Sequence, residues 1–298
     1  MKIEIIFLGT GSHIPTATRN HTGILVSFGS ENILVDCGEG IQRQFKIARI
    51  NPNKLSRILI SHWHGDHILG LPGLLETLAV SEYSKTLYIY GPKGIGEKLR
   101  FLEKLYGKFK LNYNIKEISH GKLIDEKEFY IEAIPMSHGI PTNAYSIVLK
   151  DKLRLNKNKI KKLKLPNSPL LGKLQKGKDI TYKGKKISAK SVSYLEKGKK
   201  VTIIMDTLMN DKAIKIAKNS DLLICESTYS SRHEEKAREY KHLTSRQSAI
   251  IAKRAKVKKL ILIHISHRYE KNAEIVLEEA KKIFKNTFLV NDFDKVII

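Results

Sequence analysis

The sequence predicts a mixed α/β fold with a basic arm inserted into it. Three observations carry this reading. Short runs rich in β-branched and aromatic residues recur along the chain, helical apolar periodicity fills several of the gaps between them, and the stretch 150–200 abandons both patterns for lysine.

In chain order, strands are expected at Lys2–Leu8, Gly23–Phe28 and Asn32–Val35, with a helix at Gln42–Ala48. The alternation continues with strand Arg57–Ile60, helix Leu71–Val80, strand Leu87–Tyr90 and helix Gly94–Tyr106, then strands Tyr130–Ile134 and Tyr145–Leu149. Beyond the lysine-rich stretch come strand Val201–Met205, helix Asp211–Lys218, strand Leu222–Cys225, helix Thr244–Ala255, strand Lys259–His264 and helix Asn272–Ile283. Strands this apolar are buried on at least one face, and intervening helices are what covers them. The expectation is two αβ halves, residues 1–149 and 200–298, with the arm between them.

The 298 residues include 41% hydrophobic ones, enough for a substantial core, so dominant disorder is excluded. No apolar run approaches the ~18 residues of a membrane span, and Ile5-Ile6-Phe7-Leu8 is too short for a signal-peptide core, so a cytoplasmic protein is expected. Two cysteines, Cys37 and Cys225, make no disulfide framework, which fits a reducing compartment. The net charge of +24 calls for an acidic partner, nucleic acid or an anionic membrane.

Residues 150–200 carry 18 Lys and Arg against Asp151, Asp179 and Glu196, a net +15. Leucines 153, 155, 163, 165, 170, 171 and 174 suffice for a small hairpin or for contact with a partner, but not for a normal core against that self-repulsion. The segment therefore reads as a protruding arm, turning at Pro166-Asn167-Ser168-Pro169 and at Gly172, Gly177 and Gly184. It lacks the amphipathic apolar face that insertion into a membrane surface requires.

Chemistry concentrates after the strand Arg57–Ile60, in Ser61-His62-Trp63-His64-Gly65-Asp66-His67. His62 and His64 project to one side of an extended strand end, and Asp66 and His67 reach the same cavity from the following turn. Imidazole and carboxylate suit zinc, with manganese or iron as competitors. One segment cannot close two metal sites, and further donors stand at other strand ends: His138, Asp206 and His264.

These motifs resemble the metallo-β-lactamase superfamily and, within it, the short form of the ribonuclease Z family, along nearly the whole chain. Leu8-Gly9-Thr10-Gly11-Ser12 with Pro15 and Arg19-Asn20 is similar to that family's first loop, and Val35-Asp36-Cys37-Gly38-Glu39-Gly40 to its next. Gly65 to Leu75 extends the metal motif in the form specific to ribonuclease Z. The resemblance implies an αββα sandwich, a single catalytic domain over 1–298 whose arm, 151–199, is a tRNA-binding exosite. It further implies a zinc endoribonuclease that removes the 3′ trailer from precursor tRNA. The cut would leave a 3′-hydroxyl on the tRNA and a 5′-phosphate on the trailer.

Carried over by position, the resemblance implies that His62, His64 and His138 hold one Zn2+ and Asp66, His67 and His264 the second, with Asp206 bridging and Mn2+ as an alternative. Asp66 would also orient the attacking water. Glu226 and His242 would assist departure of the leaving group. Substrate contacts would come from Arg19 and Asn20 in the first loop and from Ser168, Pro169, Gly172, Lys173 and Lys176 in the arm, whose Gly-Pro motif here has serine for glycine. A homodimer is implied, one subunit's arm serving the other's site. The lysine that many relatives carry two residues after the first-loop proline is absent, since Pro15 is followed by Thr16 and Ala17. A phosphodiesterase for small phosphate esters is the competing reading of the same site. His13, His21, His120, His233 and His267 receive no role.

Overall fold

Strands apolar on both faces need cover on both sides, and the chain supplies it with four layers. The computed structural model describes all 298 residues. One seven-stranded sheet runs in the order Lys295–Ile297, Glu4–Gly9, Gly23–Phe28, Glu31–Val35, Arg57–Leu59, Leu87–Gly91, Tyr113–Glu117. The other runs Thr287–Leu289, Leu260–Ile263, Leu222–Glu226, Lys200–Ile204, Asn143–Leu149, Phe129–Pro135, Gly121–Asp125. In each sheet a parallel portion meets an antiparallel one, at Glu31–Val35 in the first and between Lys200–Ile204 and Asn143–Leu149 in the second.

Alternation along each strand divides the apolar residues between layers. Ile5 and Phe7 enter the cluster between the sheets, together with Val26, Ile147, Ile203 and Ile224. Their neighbours Ile6 and Leu8 face outward, into the cluster that Ile41, Phe45, Leu74 and Leu78 form from the covering helices. Ile204 and Leu223 do the same on the second sheet, against Ala213, Ile251 and Val276. Each fully buried side chain of this size contributes roughly 1.5–3 kcal/mol.

All ten expected strands and all six expected helices form, with shifts of a residue or two at their ends. The division into halves differs from expectation: Gly121–Asp125, Phe129–Pro135 and Asn143–Leu149 precede the arm yet belong to the second sheet, and the last strand, Lys295–Ile297, returns to the first. The first sheet thus ends its outward run at Glu117, not at 149.

The arm also corrects an expectation. Lys152–Leu155 pairs antiparallel with Ser193–Glu196 as a stalk, beyond which three short helices and the hairpin Ile180–Tyr182/Lys185–Ile187 make a lobe. The hairpin turns at Lys183 and Gly184, both left-handed, as the twist of paired strands favours. Leu165, Leu174, Ile180, Ile187, Ala189 and Val192 are buried together there. A small core does form, because isoleucine, valine and alanine of the hairpin and last helix add to the leucines, while the lysines stay on the outside.

Candidate metal centre

The site lies where parallel strands of both sheets end. Arg57–Leu59 runs on into Ser61 and His62, and the four-residue helix Gly65–Ile68 carries Asp66 and His67. Phe129–Pro135 leads to His138, Lys200–Ile204 to Asp206, and Leu260–Ile263 to His264. Two of the residues involved hold left-handed backbone that side chains rarely adopt, Asp36 (φ 59°) and His264 (φ 62°), conformations the surrounding packing has to enforce. The Asp36 loop lies tight against the Gly65–Ile68 helix. Cys37 N–H donates to the His67 carbonyl at 2.8 Å, and a Cβ at Gly70 would fall 2.1 Å from the Gly38 carbonyl oxygen.

Two donor clusters result, sharing one carboxylate. His62, His64, His138 and Asp206 form the first, Asp66, His67, His264 and Asp206 the second. His62 Nε2 and His138 Nε2 lie 3.0 and 3.1 Å from His64 Nδ1. Asp66 Oδ2 is 3.1 Å from Nε2 of both His67 and His264. Asp206 Oδ2 faces His62 Nε2 at 3.4 Å and His67 Nε2 at 3.5 Å, while its Oδ1 faces His264 Nε2 at 3.4 Å.

The outer nitrogens are held by acceptors that fix how the rings are protonated. His67 Nδ1 donates to Asp36 Oδ2 at 2.7 Å. His62 Nδ1 contacts Ser61 Oγ at 3.0 Å, and that hydroxyl donates to the same Asp36 oxygen at 2.8 Å. On the second sheet the pattern repeats: His264 Nδ1 contacts Thr228 Oγ1 at 2.8 Å, and Thr228 donates to Glu226 Oε2 at 2.6 Å. His138 Nδ1 donates to the Lys241 carbonyl at 3.0 Å. With Nδ1 protonated, four Nε2 lone pairs point inward, the arrangement typical of ligating histidines.

The donors fit divalent cations on the structure's own terms. His67 Nε2 and Asp206 Oδ1 are buried without a hydrogen-bond partner. His62 Nε2, His64 Nδ1 and His138 Nε2 converge with at most one proton among them, which a cation reconciles. Burial holds the His62 imidazole well below its usual range, keeping it a neutral donor. Burial opposes ionisation of Asp206, but the imidazoles beside it, His264 and His242 foremost, outweigh it and hold the carboxyl well below its usual range.

Beside the second cluster stands an acid–base pair. His242 Nδ1 is 3.1 Å from Glu226 Oε2, and Glu226 is fully buried. Burial lowers the His242 imidazole, yet Glu226 and Asp206 together push it up to about 9. His242 also lines a cleft of about 430 Å³ that opens over His64, Asp66, His138 and Asp206, with Tyr229 and Tyr240 on its walls.

Every one of the seven sequence-expected metal donors is in this constellation, and Glu226 and His242 adjoin it. The substrate residues are distributed differently. Arg19 is buried, and its guanidinium donates to Thr10 Oγ1 at 2.6 Å, the Val290 carbonyl at 2.7 Å and Asn291 Oδ1 at 2.8 Å. It anchors the first loop from inside, with its guanidinium occupied by protein acceptors. Asn20 supports the same loop through Nδ2 to the Glu39 carbonyl at 2.7 Å. Ser168, Pro169, Gly172, Lys173 and Lys176 lie on or beside the arm helix Pro169–Gln175, outside the cleft. Of the unassigned histidines, His13 reaches Asp66 Oδ1 at 3.4 Å from the cleft mouth, and buried His21 holds His13 in place, its Nε2 3.0 Å from the His13 carbonyl oxygen.

Asp36, Ser61 and Thr228 were not singled out for a role by sequence. The available signal was position: Asp36 directly follows a strand with three consecutive buried residues, and Thr228 follows Glu226 in a stretch buried throughout.

Four layers with a histidine and aspartate cluster at the strand ends define a metal-dependent hydrolase of the metallo-β-lactamase fold. Known proteins agree. Ribonuclease Z of Archaeoglobus fulgidus is 39% identical over 298 residues, covering 98% of this chain and 97% of that protein. Ribonuclease Z of Listeria monocytogenes is 40% identical over 299 residues, covering 97% of each. The crystal structure of the short form of human tRNase Z superposes with a TM-score of 0.71 at 25% identity, covering 98% of both chains. The metallo-β-lactamase fold protein YhfI of Bacillus subtilis superposes at 0.73 with 20% identity, covering 100% of this chain and 99% of its own, a likeness of fold. A family model described as anti-Pycsar protein Apyc1 matches residues 3–165. The chain belongs to the ribonuclease Z family, and its residues 3–165 fall as well within the family that the Apyc1 model describes.

Proposed function

We propose that this enzyme is a tRNA 3′-endonuclease that cuts precursor tRNA after the discriminator nucleotide, leaving a 3′-hydroxyl on the tRNA and a 5′-phosphate on the trailer. The observation that supports it most is the shared carboxylate of Asp206 between two histidine clusters, next to the buried Glu226–His242 pair. His62, His64, His138 and Asp206 would hold one Zn2+, and Asp66, His67, His264 and Asp206 the other, two per subunit, with Mn2+ a substitute of similar ligand preference. Two such cations lower the pKa of bound water and neutralise charge on a phosphodiester.

The chain's own residues supply the rest. Asp66 Oδ1 faces the cleft mouth towards His13 while Oδ2 is engaged by His67 and His264, so one oxygen remains to orient the attacking water. His242, with Nδ1 on Glu226, makes no protein hydrogen bond through Nε2, leaving that atom to protonate the departing 3′-oxygen. General acid help of this kind is worth ~10²–10⁴-fold. Asp36 and Thr228 act at one remove, holding His67 and His264 in the tautomer that presents Nε2.

Substrate selection falls to the arm. Its lobe presents Lys173 and Lys176 on an exposed helix end, held away from the cleft by the stalk. Contacts of lysine with phosphate recognise the shape of folded RNA and weaken steeply with salt. We assign the working form as a cytoplasmic homodimer in which one subunit's arm holds tRNA at the other's cleft. No helix is long and apolar enough to cross a membrane.

The test is removal of residues 151–199 with a short Gly-Ser bridge. Hydrolysis of a small phosphodiester should persist while precursor tRNA cleavage collapses. Equal loss on both substrates, or no loss on tRNA, would refute the arm's role. Retention of small-ester activity by a loaded wild type that never cuts tRNA would favour the small-phosphodiesterase reading.

A further inference from the structure

Trp63 stands between the donors His62 and His64, yet lies outside the metal cleft, and it is the chain's single tryptophan. Alternation along an extended segment turns its indole the other way, to a half-buried position over which Lys98 Nζ sits 5.8 Å from the ring. Two surface depressions meet at this ring. One, of about 110 Å³, is floored by Ile140 and Pro141 with Lys93 at its edge. The other, of about 590 Å³, follows the helix Ile95–Tyr106 past Glu97, Lys98, Arg100, Lys104 and Phe101, a residue 60% exposed, so that three cations outnumber one carboxylate.

The depression and the cleft share no lining residue, but their walls are neighbours along the chain. His64 and His138 line the cleft, while Trp63 and Ile140, one and two residues away, line the depression. An aromatic platform, apolar walls and lysines spaced along a groove are what binds single-stranded nucleic acid without regard to sequence.

We propose that this groove carries the 3′ trailer of the substrate, with one trailer base stacked on Trp63 beneath Lys98 and the following phosphates running along the Lys93–Lys104 side of the helix. The inference rests on the proposed tRNA endonuclease activity and names the path of the strand that is released. A second copy of the chain is the rival occupant. It fits less well, because the face carries Lys98, Arg100 and Lys104 against the single acid Glu97, a positive excess that a second copy of the same face would repel.

The single indole makes the test direct. Its emission is followed in the metal-loaded wild type before cleavage, on mixing with mature tRNA, with a precursor bearing one trailer nucleotide, and with one bearing about six, the span of a short single-strand site. Emission should change with the long trailer and stay constant with mature tRNA. Lys98→Glu should weaken binding of the long-trailer precursor alone. Trp63→Leu should cost about 5- to 150-fold in kcat/KM on that precursor, the usual value of one stacked base, and spare the one-nucleotide trailer. Cleavage that proceeds with emission indifferent to trailer length overturns the inference. So does emission that depends on protein concentration without RNA, which gives the face to a second copy. Failure to cut any precursor instead strikes the proposed function, and this inference with it.

Discussion

Asp36→Asn is the perturbation whose effect the structure defines most closely. Asp36 is fully buried and accepts three hydrogen bonds, from Ser61 N at 2.6 Å, Ser61 Oγ at 2.8 Å and His67 Nδ1 at 2.7 Å. An amide of the same shape keeps its oxygen on Ser61 N–H. Its NH2 then faces the Ser61 hydroxyl and the His67 N–H, two donors meeting a donor. The imidazole escapes by moving its proton to Nε2, which removes the lone pair directed at Asp66 and Asp206. Outer partners of ligating histidines are worth about 10–100-fold in metal affinity, or about 1.4–2.8 kcal/mol. The expected result is loss of that size at the Asp66–His67–His264 cluster, read by competition dialysis against a chelator with metal content measured directly. Ser61→Ala, which removes only the relay beneath His62, should cost less and act on the other cluster. Wild-type affinity within about twofold in Asp36→Asn would refute the claim that Asp36 sets the His67 tautomer.

Three further outcomes follow from named contacts. Glu226→Gln, assayed at saturating metal because Glu226 also backs the Thr228–His264 relay, should lower single-turnover cleavage by about 10²–10⁴-fold, since the amide no longer supports a cationic His242; an unchanged rate would remove His242 from proton delivery. Leu174→Ala, in a lobe with six buried side chains, should cost about 2–5 kcal/mol there. Hydrogen exchange should rise across residues 156–192 and nowhere else, whereas exchange spreading into the sheets would show the lobe is coupled to the body. Arg19→Ala strips three hydrogen bonds from a buried guanidinium and should destabilise the fold by about 2–3 kcal/mol in urea titration, with the small-ester rate per folded molecule unaltered. A specific loss of tRNA binding in that variant would return Arg19 to the substrate.

What was readable in the sequence is what local pattern encodes. Strands such as Leu222–Glu226 are buried throughout and announce themselves by continuous apolar residues, and the spacing of His62, His64, Asp66 and His67 carries its chemistry within one turn. Tyr113–Glu117 escaped notice because it is a sheet edge with no fully buried residue, and Thr287–Leu289 and Lys295–Ile297 are three-residue edge strands fixed by their neighbours alone. The lobe core was hidden because its apolar residues are spread between lysines over a stretch that only the hairpin and short helices bring together. Asp36 and Thr228 act across 31 and 36 residues of chain, on His67 and His264, so no local pattern marks them. Arg19 came from the resemblance alone, and its place inside the loop was not legible locally, since its partners Val290 and Asn291 lie at the other end of the chain.

The most direct test is cleavage of a 3′-extended precursor tRNA by the purified, zinc-loaded chain, with the termini of both products mapped and Asp66→Ala run beside it. The account predicts one cut after the discriminator, a 3′-hydroxyl on the tRNA, a 5′-phosphate on the trailer and no cut by the variant. Products ending in a 2′,3′-cyclic phosphate, or cleavage that survives in Asp66→Ala, would contradict it.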